Sequence, residues 1–153
     1  MEEMNSIDIA LVDLSADCYE TVIDKLGAEL VKKGYVQPEY VTATIDREKL
    51  YPTGLNINGD IKTAIPHADC CYVNQAQIAF ASLKEPVGFK NMEDPTSYID
   101  VKVVFMLAVK DPSQQVEFLQ KFMELFQDEL LIKQLSKLKD VNQIKQIINK
   151  KIY

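Results

Sequence analysis

Apolar positions along this 153-residue chain follow a few distinct rhythms, and each rhythm predicts its own kind of element. From Tyr19 they recur at Val22, Ile23, Leu26 and Leu30, the i, i+3, i+4, i+7 spacing of an amphipathic helix. Ser15 or Asp17 is its candidate N-cap, Lys32 and Lys33 suit the negative end of its dipole, and Gly34 is the natural stop beyond. A second helix takes Pro38 in its first turn and runs to about Lys49, with Val41 and Ile45 facing inward. Residues 7–14 read as a strand or extended arm. Residues 55–57 and 61–65 are short apolar runs split by Asn58-Gly59-Asp60, which is hairpin chemistry, and they follow a turn at Tyr51-Pro52-Thr53-Gly54.

Residues 75–83 alternate like a strand, and 87–89, after Pro86, form a short edge strand. The mostly apolar, β-branched run 99–109 is the candidate central strand, buried on both faces. Asp111-Pro112 ends it and caps a helix over 113–126, with Val116, Leu119, Phe122, Met123 and Phe126 on one side. Helices at 129–137 and 141–148 complete the chain. The order is helices, strands, helices, and there is no repeat or linker. It predicts one α/β domain over residues 1–153, with helices covering a mixed sheet.

Composition narrows the function. A net charge of -6 argues against a nucleic-acid surface, which needs a basic patch. No apolar run approaches bilayer length and no secretory leader is visible, so a cytoplasmic protein with reduced thiols is expected. The cysteines are Cys18 and the adjacent pair Cys70 and Cys71. Vicinal cysteines suit a metal set poorly, and both are read as small packing residues. Walker, Rossmann and G-x-S-x-G patterns are absent, which leaves nucleotide binding and serine hydrolysis without support.

The chemistry gathers around His67, the sole histidine. A lone histidine is commonly structural, but here Pro66 pushes Ile65 into an extended conformation and brings a strand to its end at an imidazole. Arg47 falls near the end of the second helix, before the Pro-Thr-Gly turn. It is either a phosphate-binding guanidinium or a helix-end cation paired with Asp46 or Glu48. Thr53 is a turn residue that can also reach a phosphoryl group. Asp69 is either an orienting partner for the imidazole or a solvated loop acid.

Arg47-Glu48, Tyr51-Pro52-Thr53-Gly54-Leu55 and Ala64-Ile65-Pro66-His67 together resemble the enzyme IIA domains of the fructose/mannitol class in the bacterial sugar phosphotransferase system (PTS). The stretch from Phe105 to Val109, followed by Asp111-Pro112-Ser113-Gln114-Gln115, is similar to the galactitol-type branch. The resemblance implies a mixed sheet with helices on both faces and a phosphotransferase component. It implies that His67 is phosphorylated by phospho-HPr and passes the group to a cysteine of the cognate IIB protein, with Arg47 and Thr53 beside it. It calls for no cofactor or metal, and for membrane contact only through the IIC transporter. Many fructose and mannitol domains carry a second histidine after the central strand; here Gln115 stands there, able to hydrogen-bond but not to carry charge. A regulatory IIA-like module, whose phosphorylation state controls a transcription factor or transporter, retains the same His67.

Overall fold

A computed structural model describes residues 6–57 and 59–152. Five strands form one mixed sheet in the order β1-β4-β5-β3-β2, comprising β1 (Ile9–Leu14), β2 (Gly54–Leu55), β3 (Lys62–Ala64), β4 (Gln77–Lys90) and β5 (Tyr98–Ala108). β1 runs parallel to β4 and β3 parallel to β5, while the β4–β5 and β2–β3 pairs are antiparallel. Helices α1 (Tyr19–Lys32) and α2 (Glu39–Leu50) cover one face. Helices α3 (Pro112–Phe126), α4 (Glu129–Lys137) and α5 (Val141–Ile152) cover the other.

Strand alternation divides the core. Ile78 and Phe80 of β4, with Val103, Phe105 and Leu107 of β5, face α3–α5. Ala79, Ala81, Val104, Met106 and Ala108 face α1 and α2, where their smaller side chains let α1 lie close. β5 is therefore central and buried on both faces from Val103 to Ala108, as its mostly apolar run predicts.

α1 ends as expected. Gly34 takes φ 80 at C′, its N–H donates to Val31 O at 3.0 Å, and Tyr35 N–H donates to Leu30 O at 3.0 Å, which is a Schellman closure. α3 starts one residue earlier than its pattern suggests, at Pro112, with Asp111 accepting from Ser113 N–H at 2.9 Å.

Several expectations are corrected. Neither Ser15 nor Asp17 caps α1; Cys18 is the N-cap residue and makes no side-chain cap. Residues 87–89 are not an edge strand but the second half of β4, and Pro86 sits in the register shift between Ser82 and Val87. A bulge tolerates a residue with no N–H, so Pro86 interrupts the ladder without ending the strand. The 55–57 and 61–65 hairpin shrinks to two pairs, Gly54 with Ala64 and Leu55 with Thr63. Gly59 takes φ 108 in its turn, and Asn58 lies outside the described residues. On α2 the buried stripe is Tyr40, Thr44 and Glu48, with Val41 and Ile45 only partly covered. On α3, Phe118, Phe122, Leu125 and Phe126 lie inside, as a core cluster of aromatic and leucine side chains should, but Val116 and Met123 point outward. Cys71 is exposed and Cys70 half-buried on a 3-10 turn at Cys70–Tyr72, so neither is a core packing residue.

β2 is held at its outer edge by the loop after β4. Met92 N–H donates to Gly54 O at 2.8 Å, and a Cβ built on Gly54 would lie 2.5 Å from the Lys90 carbonyl oxygen. Gly54→Ala is therefore expected to destabilise the chain by about 1–3 kcal/mol. Urea unfolding of the two proteins measures this, and equal midpoints would contradict the close approach.

Candidate functional site

His67 owes its position to the backbone on either side of it. Pro66 continues the line of β3 beside β5, its carbonyl accepts Leu107 N–H at 3.0 Å, and His67 bridges Leu107 in parallel register. The Leu107 carbonyl in turn accepts the hydroxyl of fully buried Tyr40 at 2.7 Å, which ties α2 to the same point. The imidazole is 8% exposed. Its Nδ1 lies 2.7 Å from the Ile65 carbonyl oxygen. A carbonyl can only accept, so Nδ1 carries the proton and Nε2 is left as a free lone pair. Burial holds the His67 pKa below its ordinary 6.5 against the opposing pull of the bond to Ile65, and the Arg47 charge adds a smaller push downward. The ring is neutral near pH 7, the state of a nucleophile or proton acceptor.

The ring opens on a pocket of about 370 Å³ lined by Arg47, Leu50, Tyr51, Pro52, Thr53, Ile65, Met92, Pro95 and Leu119. Arg47 sits in the last turn of α2 with its guanidinium over the Tyr51 ring, 5.4 Å from the centroid. It makes no salt bridge among the described residues, so neither Asp46 nor Glu48 occupies its fork. Thr53 also reaches the pocket, but its hydroxyl is engaged. It donates to Glu48 Oε1 at 2.8 Å and accepts Ile65 N–H at 3.2 Å.

Gln115 stands apart. Its Oε1 faces Cys70 Sγ at 4.0 Å, and the α3 residue that lines the pocket is Leu119, one turn further on. Asp69 does not orient the imidazole. Its carboxylate accepts Cys71 N–H at 3.0 Å and closes the 3-10 turn, which leaves Ile65 as the orienting group. A larger cavity, about 470 Å³, lies at the start of α3 among Asn74, Gln75, Lys110, Asp111 and Gln114, away from His67. No group of three or more His, Cys, Asp and Glu side chains among the described residues is arranged to hold a metal.

The residue missed in the sequence is Glu48. It is 2% exposed, and its two oxygens accept both donors of Thr53, N–H at 2.6 Å and the hydroxyl at 2.8 Å. Burial pushes its carboxyl up to about 7 against the pull of those two bonds. Its signal was the i, i+4, i+8 spacing from Tyr40 through Thr44, which puts a carboxylate on the buried stripe of α2.

Comparison with known proteins bears on the family and the fold. The family described as "Phosphoenolpyruvate-dependent sugar phosphotransferase system, EIIA 2" matches residues 4–151. The chain is 30% identical over 148 residues to the mannitol-specific phosphotransferase enzyme IIA component of Staphylococcus aureus, covering 96% of both chains. It is 30% identical over 98 residues to the galactitol-specific EIIA component of Escherichia coli, 64% of each. It is also 41% identical over 93 residues, 61% of this chain, to the transcriptional regulator ManR of Bacillus subtilis, and spans 13% of that protein's length. The solved complex of enzyme IIAMTL and phosphorylated enzyme IIBMTL from Escherichia coli superposes with a TM-score of 0.73 at 27% identity, over 92% of this chain and 94% of that one. With the family matched along almost its whole length, the chain belongs to the EIIA 2 family of the phosphoenolpyruvate-dependent sugar phosphotransferase system.

Proposed function

We propose that the chain works in the cytoplasm as one IIA domain, a phosphoryl carrier that takes the group from phospho-HPr on His67 and gives it to a cysteine of a IIB partner. The observation that carries this reading is the neutral imidazole with Nδ1 committed to Ile65 and Nε2 free beside Arg47. In the first step the Nε2 lone pair forms the N–P bond as the N–P bond to the donor histidine breaks; the donor ring, protonated on its other nitrogen, leaves as a neutral imidazole, and the His67 ring, still protonated on Nδ1, takes up the positive charge. In the second, a cysteine thiolate of IIB attacks phosphorus and the N–P electron pair returns to Nε2. The proton stays on Nδ1, hydrogen-bonded to the Ile65 carbonyl, throughout, so neither step moves a proton on this ring. Arg47 balances the equatorial phosphoryl charge.

The rim fits partners that dock in turn. Leu50 (73% exposed) and Tyr51 (65% exposed) stand beside Met92, with Val116 and Met123 exposed on α3. This apolar collar around a charged centre resembles the middle of a protein interface. A galactitol-type pathway is favoured by the single histidine, with Gln115 where many mannitol domains carry a second one. Identity alone does not rank the polyols, being 30% to both relatives. The regulatory reading draws on the 41% identity to ManR and keeps the same site.

Mixed with phosphoenolpyruvate, enzyme I and HPr, the wild-type chain is expected to gain one acid-labile phosphoryl group by intact mass, and His67→Ala none. An unmodified wild type would end the carrier reading. Leu50→Asp is expected to raise the apparent KM for phospho-HPr about ten-fold at little cost in stability, a typical loss at an interface anchor. An unchanged KM would remove Leu50 from the docking face.

The pH behaviour has a definite sign. The fold depresses the His67 pKa, so its contribution to stability is present above 6.5 and is lost as pH falls through the folded value. The Glu48 value is raised, so its contribution is present below 4.5 and is lost as pH rises towards about 7. A proton NMR titration of the His67 ring should show a midpoint below 6.5, with the initial rate of phosphorylation falling across it. A midpoint at or above 6.5 would contradict the buried neutral ring.

A further inference from the structure

We propose that Glu48 is a positioning residue for the nucleophile, acting on His67 through Thr53 and the backbone of Ile65. The inference rests on the carrier reading for its consequence in phosphoryl transfer, while its structural claim about the ring stands separately.

Glu48 is buried, with no salt bridge among the described residues, and above about pH 7 it is a carboxylate. Such a group costs several kcal/mol unless its oxygens are satisfied. Both are satisfied by a single residue, Thr53, through N–H and hydroxyl at 2.6 and 2.8 Å. A threonine hydroxyl has one proton. Because Glu48 takes it, the Thr53 oxygen turns lone pairs towards Ile65 and accepts its N–H at 3.2 Å. Ile65 is thus gripped by its own amide, and the following Pro66 restricts its other torsion. The carbonyl of that same residue accepts the Nδ1 proton of His67 at 2.7 Å. The path runs carboxylate, hydroxyl, amide, carbonyl, imidazole. Each link is held by the one before it, and the end effect is to keep the proton on Nδ1 and the lone pair on Nε2.

A glutamine at this position reverses one link. Its amide NH₂ faces one of the two Thr53 donors, so the hydroxyl must turn to accept from it and aim its own proton elsewhere. Ile65 N–H then loses a well-directed acceptor, the Ile65 carbonyl is free to swing, and the ring gains access to the Nε2–H tautomer, which has no lone pair facing the pocket. A residue that merely stabilised the Pro-Thr-Gly turn would not change the tautomer.

The test is made on the full chain with Glu48→Gln, Thr53→Val and the double variant. The ¹⁵N shifts of the His67 ring at pH 8 report the tautomer, and transfer from phospho-HPr reports the rate. Wild type is expected as the Nδ1–H form. Glu48→Gln is expected as a mixture of tautomers with a transfer rate lower by about ten-fold, the lower end of what loss of an orienting partner costs. In the Thr53→Val background, adding Glu48→Gln should change the rate less than two-fold, because the path is already cut. Unchanged ring shifts in Glu48→Gln, or rate losses that simply multiply in the double variant, would overturn the proposal. If Glu48→Gln fails to fold by circular dichroism, Thr53→Val cuts the path one link later, and a wild-type ring spectrum there overturns it equally. If wild type itself takes no phosphoryl group, the carrier reading fails, and the ring shifts still decide what Glu48 does.

Discussion

The hydrogen bond from His67 Nδ1 to the Ile65 carbonyl governs this molecule's chemistry. An imidazole has two nitrogens and, when neutral, one proton, so whichever nitrogen is committed decides which one can react. A backbone carbonyl two residues away is an unusually firm partner, since it cannot rotate independently of the chain. Its firmness depends on Ile65 being fixed, and three separate elements fix it. β5 holds Pro66 through Leu107, α2 holds Leu107 through Tyr40, and the turn after α2 holds Ile65 through Thr53. One of these ties comes from α2 directly and another through Glu48, which holds Thr53; all three residues of that helix's buried stripe carry a polar group.

That stripe explains the burial of polar groups where apolar ones would pack more cheaply. Tyr40, Thr44 and Glu48 each make a hydrogen bond to a group that is not their own: Tyr40 to Leu107, Thr44 to Tyr40, Glu48 to Thr53. An apolar stripe would cover the sheet as well but would leave the Thr53 donors without the acceptors they now have and remove the tie from Tyr40 to β5. The helix therefore acts less as a lid on the core than as a frame for the end of β3.

Much of this was legible in the sequence, for identifiable reasons. α1 announced itself by four apolar positions and a glycine whose positive φ closes the helix, and β5 by a run too apolar to face water on either side. The pairing of Arg47, the Pro-Thr-Gly turn and His67 in one pocket was legible because each belongs to an element end, where the chain must turn and expose what it carries. The failures share a cause. Pro86 suggested a strand edge because a proline removes a donor, yet a bulge absorbs the loss. Glu48 was passed over because charge signals exposure, and only the α2 spacing showed otherwise. Val116 and Met123 were assigned inward by hydrophobicity alone, although two of the α3 phenylalanines and Leu125 already filled that face with Phe122. Side-chain volume against the sheet settled which apolar residues were left outside.

Those displaced residues bear on how one fold can serve both transport and control. Leu50, Tyr51 and Met92 give the rim of the His67 pocket an apolar character while the ring is neutral, and Val116 and Met123 are exposed on α3, three residues before and four after the pocket-lining Leu119. A phosphoryl group on Nε2 would bring close to two negative charges to the centre of that collar. Arg47, stacked on Tyr51 without an acid partner, is the group nearest at hand to answer them. Under the proposed carrier reading, the surface that meets a partner would differ in charge at its centre between the two states while its rim stayed the same. A partner that needs the charge and one that needs its absence can both use the rim for affinity and the centre for discrimination. On that reading, transfer to a cysteine and control of a regulator would differ only in whether the bound partner carries a nucleophile.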